Sequence, residues 1–219
     1  MKISKRTLEI LENFSTINKS IAINEEGYIK NISSAKNMIG IAKVEEKFPD
    51  FCIFDLTEFV SVIKMFDLGK DVDFNFSDNE IIIKQNKTKV NYKLSNPDHI
   101  YNKTQPQNKY IKDDGFQASF KLDDSVLSSC LKASKIMGLK TLNISFDDGK
   151  GEVSLYDENN NAANEFRMEI EGNGNCDADI DISLINFIRG DYDVFVFDKY
   201  IRFDYSGGVT YIVLKNQKG

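Results

Sequence analysis

The residues best placed to do chemistry are the carboxylates of "DADIDI", where Asp177, Asp179 and Asp181 alternate along one side of an expected strand. Three carboxylates on one side could hold a divalent metal for hydrolysis. The run also begins like a calcium loop, but Ile182 stands where such a loop needs Gly and Ile188 where it needs Glu. A strand with the three aspartates on its outer face and Ala178, Ile180 and Ile182 inward explains the pattern without a metal. The single histidine, His99, has no Ser, Cys or Asp pattern around it that would make it catalytic. "EGNGNC" is followed by no Gly-Lys-Ser/Thr and opens no helix, so it reads as a turn rather than a phosphate loop. Cys52, Cys130 and Cys176 are far apart and sit among apolar or small residues, as reduced, partly buried thiols do. With one histidine and no Cys-x-x-Cys, a zinc site is not expected. The sequence therefore points to no catalytic residue, no metal and no cofactor.

Charge is the more informative signal. The chain has 28 Lys+Arg against 34 Asp+Glu, a formal charge of −6, yet it opens on the basic amphipathic stretch "KISKRTLEILENFSTINKSI". Its apolar stripe is Leu8, Ile10, Leu11, Phe14 and Ile17, with Ser4 as the expected cap and Lys5, Arg6, Glu9 and Glu12 on the other faces. No run reaches the roughly 18 apolar residues of a membrane span. The basic start is not followed by a continuous apolar run and a small-residue cleavage site, so a cytosolic protein is expected.

The elements that must carry these residues repeat. "SIAIN" and "YIKNI" flank "EEG" as a hairpin would, and "MIGIAKV" and "DFCIF" read as strands. "DLTEFVSVIKMF" reads as a helix capped by Asp55, with Glu58 in the capping-box position, Leu56, Phe59, Val60 and Ile63 inward, and Gly69 as its stop. Three strands follow, "DVDFNF", "EIIIKQ" and "TKVNYKL". Periodicity is lost over 95–117, which holds Pro97, Pro106 and His99 and reads as a connector. Then the order recurs. A helix, capped by Asp123 or Asp124, turns Val126, Leu127, Cys130, Leu131 and Ser134 inward, and four strands follow it. "SLINFIRG" reads as a short helix ending at Gly190, and three strands close the chain. The expectation is an α+β architecture of two similar domains, 1–94 and 118–219, joined by the connector, each with two helices on one face of antiparallel sheet.

The opening "MKISKRTLEILENFSTIN", then "FDLTEFVSVI", "LDDSVLSSCLKASKI" with "TLNISF", and "GDYDVFVF" resemble the DNA polymerase sliding clamps of T-even-type tailed bacteriophages. The resemblance runs along essentially the whole chain and implies a homotrimeric ring of six similar domains, helices lining the hole and sheets outside. Such a ring encircles duplex DNA without sequence preference, tethers the DNA polymerase as a processivity factor, is loaded by a separate ATPase clamp loader and supports late viral transcription. It would act in the cytoplasm of the infected bacterium and catalyse nothing. The resemblance makes Lys5, Arg6, Lys19, Lys64, Lys70, Lys132, Lys135, Lys140 and Arg189 the DNA-facing set. Every expected helix has a cation on it or at its end, whereas Glu25, Glu26, Asp147, Asp148, Asp157 and Glu158 fall in turns and outer strands. A net acidic chain suits a topological link better than tight phosphate binding, which needs many cationic contacts.

The same resemblance pairs the strand 88–94 with 164–170 of the next subunit, placing Lys89, Val90, Tyr92, Glu165, Phe166 and Met168 at the interface; a closed ring of identical subunits needs such a head-to-tail contact between different patches. It also implies an apolar pocket for partner peptides near the connector, with Ile100, Tyr101, Tyr110 and Ile111 and with Met38 beneath. The rival readings are a two-domain viral adaptor that never surrounds DNA, and a metalloenzyme built on Asp177, Asp179 and Asp181.

Overall fold

The structure, a computed structural model, describes residues 1–25, 27–100, 114–160 and 162–216. The chain divides into two compact units, Met1–Gln107 and Asn108–Gly219, with the boundary inside the 95–117 stretch.

The first unit opens on α1 (Lys5–Ile17), capped as expected by the Ser4 hydroxyl, which accepts from the Thr7 amide at 3.1 Å. Ile10, Leu11, Phe14 and Ile17 are buried, and Leu8 is half-buried. Strands β1 (Ile21–Ile23), β2 (Tyr28–Ile32), β3 (Met38–Lys43) and β4 (Phe51–Ile53) follow. Helix α2 (Leu56–Ile63) then precedes β5 (Asp73–Phe76), β6 (Glu80–Gln85) and β7 (Thr88–Lys93). The seat of α1 is made by two residues. A Cβ on Gly40 of β3 would lie 2.7 Å from the Phe14 ring and from Ile17, so only glycine lets strand and helix approach this closely. The buried Asn31 of β2 donates to the Phe14 and Asn18 carbonyls, both at 3.0 Å, and so ties β2 to the end of α1.

Two local expectations change here. Among the described residues no β1–β2 ladder forms around the "EEG" stretch; β1 pairs with β4, Ala22 opposite Cys52. Helix α2 ends at Ile63, well before Gly69, and the turn that follows is held by the Gly69 amide donating to Asp67 at 2.9 Å. The capping itself stands as read, with Asp55 accepting from the Glu58 amide at 3.0 Å and Leu56, Phe59, Val60 and Ile63 all buried.

The second unit contains β8 (Ala118–Leu122), α3 (Asp124–Met137), β9 (Thr141–Asp147), β10 (Lys150–Tyr156), β11 (Phe166–Gly174) and β12 (Cys176–Asp181). It closes with β13 (Tyr192–Val196), β14 (Tyr200–Tyr205) and β15 (Val209–Leu214). Its strands run β12-β9-β10-β11-β8-β13-β14-β15 across the sheet. Helix α3 buries Leu127, Cys130 and Ala133, leaves Val126, Leu131 and Ser134 half-buried, and ends on Gly138 in the left-handed region at φ 72°. Asp123 is its cap by position, but Asp191 does the bonding, accepting from the Asp124 amide at 2.8 Å. The repeat is visible in the backbone. Met1 and Phe74 exchange hydrogen bonds of 2.8 and 3.0 Å in the first unit, where the second unit has the β8–β13 ladder.

The expected fourth α-helix is absent among the described residues. "SLINFIRG" forms a 3-10 turn over Ile182–Leu184 and then irregular chain to Gly190. Ile182, Ile185 and Ile188 are all buried, but this β-branched run has poor helix propensity. Two tyrosines give its backbone other partners: the Ile188 amide donates to the Tyr211 hydroxyl at 3.2 Å, and the Tyr192 hydroxyl donates to the Ile188 carbonyl.

Candidate nucleic-acid interface

Of the cations expected to face DNA, Lys5 and Arg6 lie on α1 and Lys132 and Lys135 on α3, while Lys19, Lys64, Lys70, Lys140 and Arg189 lie at helix ends or in the chain beyond them; all are exposed. In the first unit most have a carboxylate beside them. Lys64, at the end of α2, is ion-paired with Glu12 of α1, so an acidic residue on the polar side of the first helix bridges the two helices. Lys70 lies 3.3 Å from Asp67. The Gly69 amide, Lys70 and the nearby Lys5 together hold the Asp67 carboxyl below its usual range. Arg6 and Lys19 are solvent-facing, with no ion-pair partner among the described residues.

In the second unit Lys132, Lys135, Lys140 and Arg189 line one groove of about 770 Å³ between α3 and the irregular 182–190 chain. Lys132 and Lys135, three residues apart, share a helix face. Arg189 is positioned by donating to the Ser128 hydroxyl, with the Asp124 carboxylate at 3.7 Å. Asp124 in turn accepts from the Gly190 amide at 3.1 Å, which fixes the chain end that carries Arg189. Asp181 also lines the groove, but its carboxylate accepts from the Ser183 amide at 2.8 Å. None of the three lysines has an ion-pair partner among the described residues. The sequence made the i, i+3 lysines legible, but not the Ser128 and Asp124 contacts, which lie more than sixty residues from Arg189.

The two strands assigned to the subunit interface are both open on one side. β7 is the edge of the β5-β6-β7 sheet. β11 is bonded to β10 along Phe166–Glu171, but to β8 only from Gly172 onward, which leaves one side of its first half without a ladder among the described residues. Lys89 is exposed and Val90 half-buried. Tyr92 turns into its own unit: its ring packs 5.0 Å from that of Phe59, and its hydroxyl reaches the Asp55 carbonyl and Glu58 carboxylate at 3.3 Å. Burial and the Glu58 charge push the Tyr92 phenol well above its ordinary value. On β11, Phe166 and Met168 are half-buried, and Glu165 is paired with Arg167 at 2.6 Å.

Of the expected peptide pocket, Met38 is buried in β3 and Ile100 is buried with Ala22 and Cys52; Tyr101, Tyr110 and Ile111 lie outside the described residues. The aspartates of "DADIDI" have structural partners. Asn143 donates to both Asp177 and Asp179 at 2.7 Å, Asp181 caps the 3-10 turn, and Ala178, Ile180 and Ile182 are buried as expected. Asp179 is itself buried rather than solvated. No group of three or more potential metal ligands occurs among the described residues. Burial raises the Cys130 thiol to about 11 and also raises Cys176.

No protein-family model matches the chain. It is 25% identical over 202 residues, 89% of each chain, to the sliding clamp of Vibrio phage KVP40. Among solved structures, the PCNA of A. fulgidus, determined with the C-terminal region of FEN-1, superposes with a TM-score of 0.70 at 15% identity, covering 97% of this chain and 95% of that one. The DNA polymerase III subunit beta of Borrelia burgdorferi gives 0.72 at 12% identity; all of this chain matches 63% of that one. The chain is thus similar along nearly its full length to a phage sliding clamp, and it shares its fold with PCNA and with the polymerase III beta subunit.

Proposed function

We propose that three copies of the chain close into a ring that surrounds duplex DNA and holds the replicative polymerase on it. The observation that carries this reading is the full-length match to a phage sliding clamp on a repeated two-unit clamp fold. The open sides of β7 and of the first half of β11 supply a head-to-tail contact: Lys89 and Val90 on one strand, and Glu165, Phe166 and Met168 on the other, would meet across an added ladder. Tyr92 contributes to that contact through its backbone, because its side chain braces α2. Lys5, Arg6, Lys19, Lys64, Lys70, Lys132, Lys135, Lys140 and Arg189 face the duplex as sequence-neutral phosphate contacts. Met38 and Ile100, with Tyr101, Tyr110 and Ile111, receive partner tails. A separate ATPase clamp loader opens and closes the ring, late-transcription factors share its surface, and the site of action is the host cytoplasm. The clamp contributes topology and docking, with no chemistry of its own.

The test is retention. Loaded with its clamp loader onto nicked circular DNA, the ring should stay bound in high salt and leave once the circle is cut. Equal loss from circular and linear DNA would contradict encirclement.

A further inference from the structure

Among the described residues, three large apolar side chains stand furthest into solvent: Phe54 at 66%, Met65 at 68% and Ile136 at 77% exposed. Phe54 and Ile136 each lie near the end of a strand that has an open side. Phe54 precedes α2, and the Tyr92 hydroxyl of β7 reaches the carbonyl of the next residue, Asp55, at 3.3 Å. The start of α2 is thus tied to the end of β7. Ile136 and the exposed Met137 close α3, and β9 begins soon after at Thr141. Thr141 pairs with Tyr156 at the end of β10, and the neighbouring Leu155 pairs with Phe166 at the start of β11. The end of α3 and the start of β11 therefore share one end of their sheet. Phe166 and Met168 stand opposite the buried Leu155 and Val153, on the core side of the sheet where α3 packs. Tyr92 turns toward α2 in the same way.

We propose that the head-to-tail contact between copies has an apolar half on its helical face, in which Phe54 of one copy packs on Ile136 and Met137 of the next. The proposal rests on the ring reading and adds side chains from the helix ends to a contact made by strands. Run antiparallel, with Tyr92 opposite Phe166, the two strands set Val90 against Met168 on the helical face. The exposed Lys89 then meets Glu169, and Lys93 meets Glu165, on the other face. The same direction carries Phe54 to the end of α3. Exposed ion pairs on the outer face contribute little and are screened by salt. Burial of Phe54, Ile136 and Met137 removes apolar surface from water, and salt does not weaken it. An aromatic anchor of this kind dominates the energy of many interfaces.

Sedimentation of the full chain across a concentration series tests this, comparing the unsubstituted protein with F54D, M65D, I136K and F54D/I136K. Phe54 and Met65 flank opposite ends of α2 and are about equally exposed, so the two aspartates alter charge alike and neither replaces a packed side chain. F54D and I136K should each raise the concentration at which the trimer half-dissociates by about tenfold or more. M65D should raise it by less than about threefold. The double variant sets an aspartate against a lysine across the contact and should return to within about threefold of the unsubstituted chain. M65D as damaging as F54D, or a double variant no stronger than either single one, would overturn the apolar contact and leave the ring standing. A monomer of the unsubstituted chain at every concentration would overturn the ring itself, and the contact with it.

Discussion

In the first unit α1 and α2 lie against each other, with Glu12 paired to Lys64 across them, and Asn31 finishes the end of α1. In the second, α3 faces a 3-10 turn whose continuing backbone is satisfied by the hydroxyls of Tyr192 and Tyr211. The strand order repeats, yet one half completes its helical layer with a helix and the other with chain pinned from the sheet. The repeat therefore preserves the first helix and the succession of strands along the chain, while the second helical position varies. In the first unit the helix pair holds Lys64 against Glu12, whereas in the second Lys132, Lys135 and Lys140 line an open groove.

The comparison can be broken most severely at α1. Phe14→Ala should cost about 3–5 kcal/mol, because the ring is fully buried against the Gly40 approach and the seat cannot collapse onto a strand already in contact. Denaturant unfolding checks this, and a cost below about 1 kcal/mol would mean that α1 is not seated as described. Next comes Tyr211→Phe, which removes the acceptor of the Ile188 amide while keeping the ring stacked 4.2 Å from Phe187. The expected loss is about 1–2 kcal/mol, the cost of a buried donor without its partner. No loss would indicate that the 182–190 chain does not depend on this sheet hydroxyl.

A smaller effect separates the units by pH. Glu46 is pushed up by burial, but the Ser4 amide at 2.7 Å and the Thr7 hydroxyl at 2.7 Å outweigh this and hold its carboxyl below the ordinary 4.5. A carboxyl lowered by folding stabilises the fold above its unfolded value, and that stability drains away as pH falls through the folded value. The chain should therefore lose stability below about pH 4.5, and Glu46→Gln should flatten that slope by less than about 1 kcal/mol, given the partial exposure. Thermal melts from pH 7 to 3 read it. The smallest effect is the Glu12–Lys64 pair, whose side chains are about half exposed. A double-mutant cycle should give a coupling of about 0.5 kcal/mol that fades in high salt.

What the sequence made legible were the local signals: the caps Ser4 and Asp55, the stripe Ile10–Leu11–Phe14–Ile17, and the lysines three residues apart on α3. What it hid is long-range. Ile182, Ile185 and Ile188 recur at a spacing that suits a helix face, and the alternative bonds come from Tyr192 and from Tyr211, 23 residues beyond Ile188. β1 looked like half of a hairpin because its true partner, β4, lies across two other strands in the chain. Glu46 satisfies the start of α1 from 42 residues away, with no local pattern to announce it. The resemblance puts Tyr92 at the subunit interface, and the aromatic partner that holds its ring within its own unit sits on α2.

The most direct test of the ring is native mass by sedimentation across a concentration series. A species near three times 25.0 kDa that dissociates on dilution is the expected result. A monomer at every concentration would contradict the closed ring and the encirclement of DNA that depends on it.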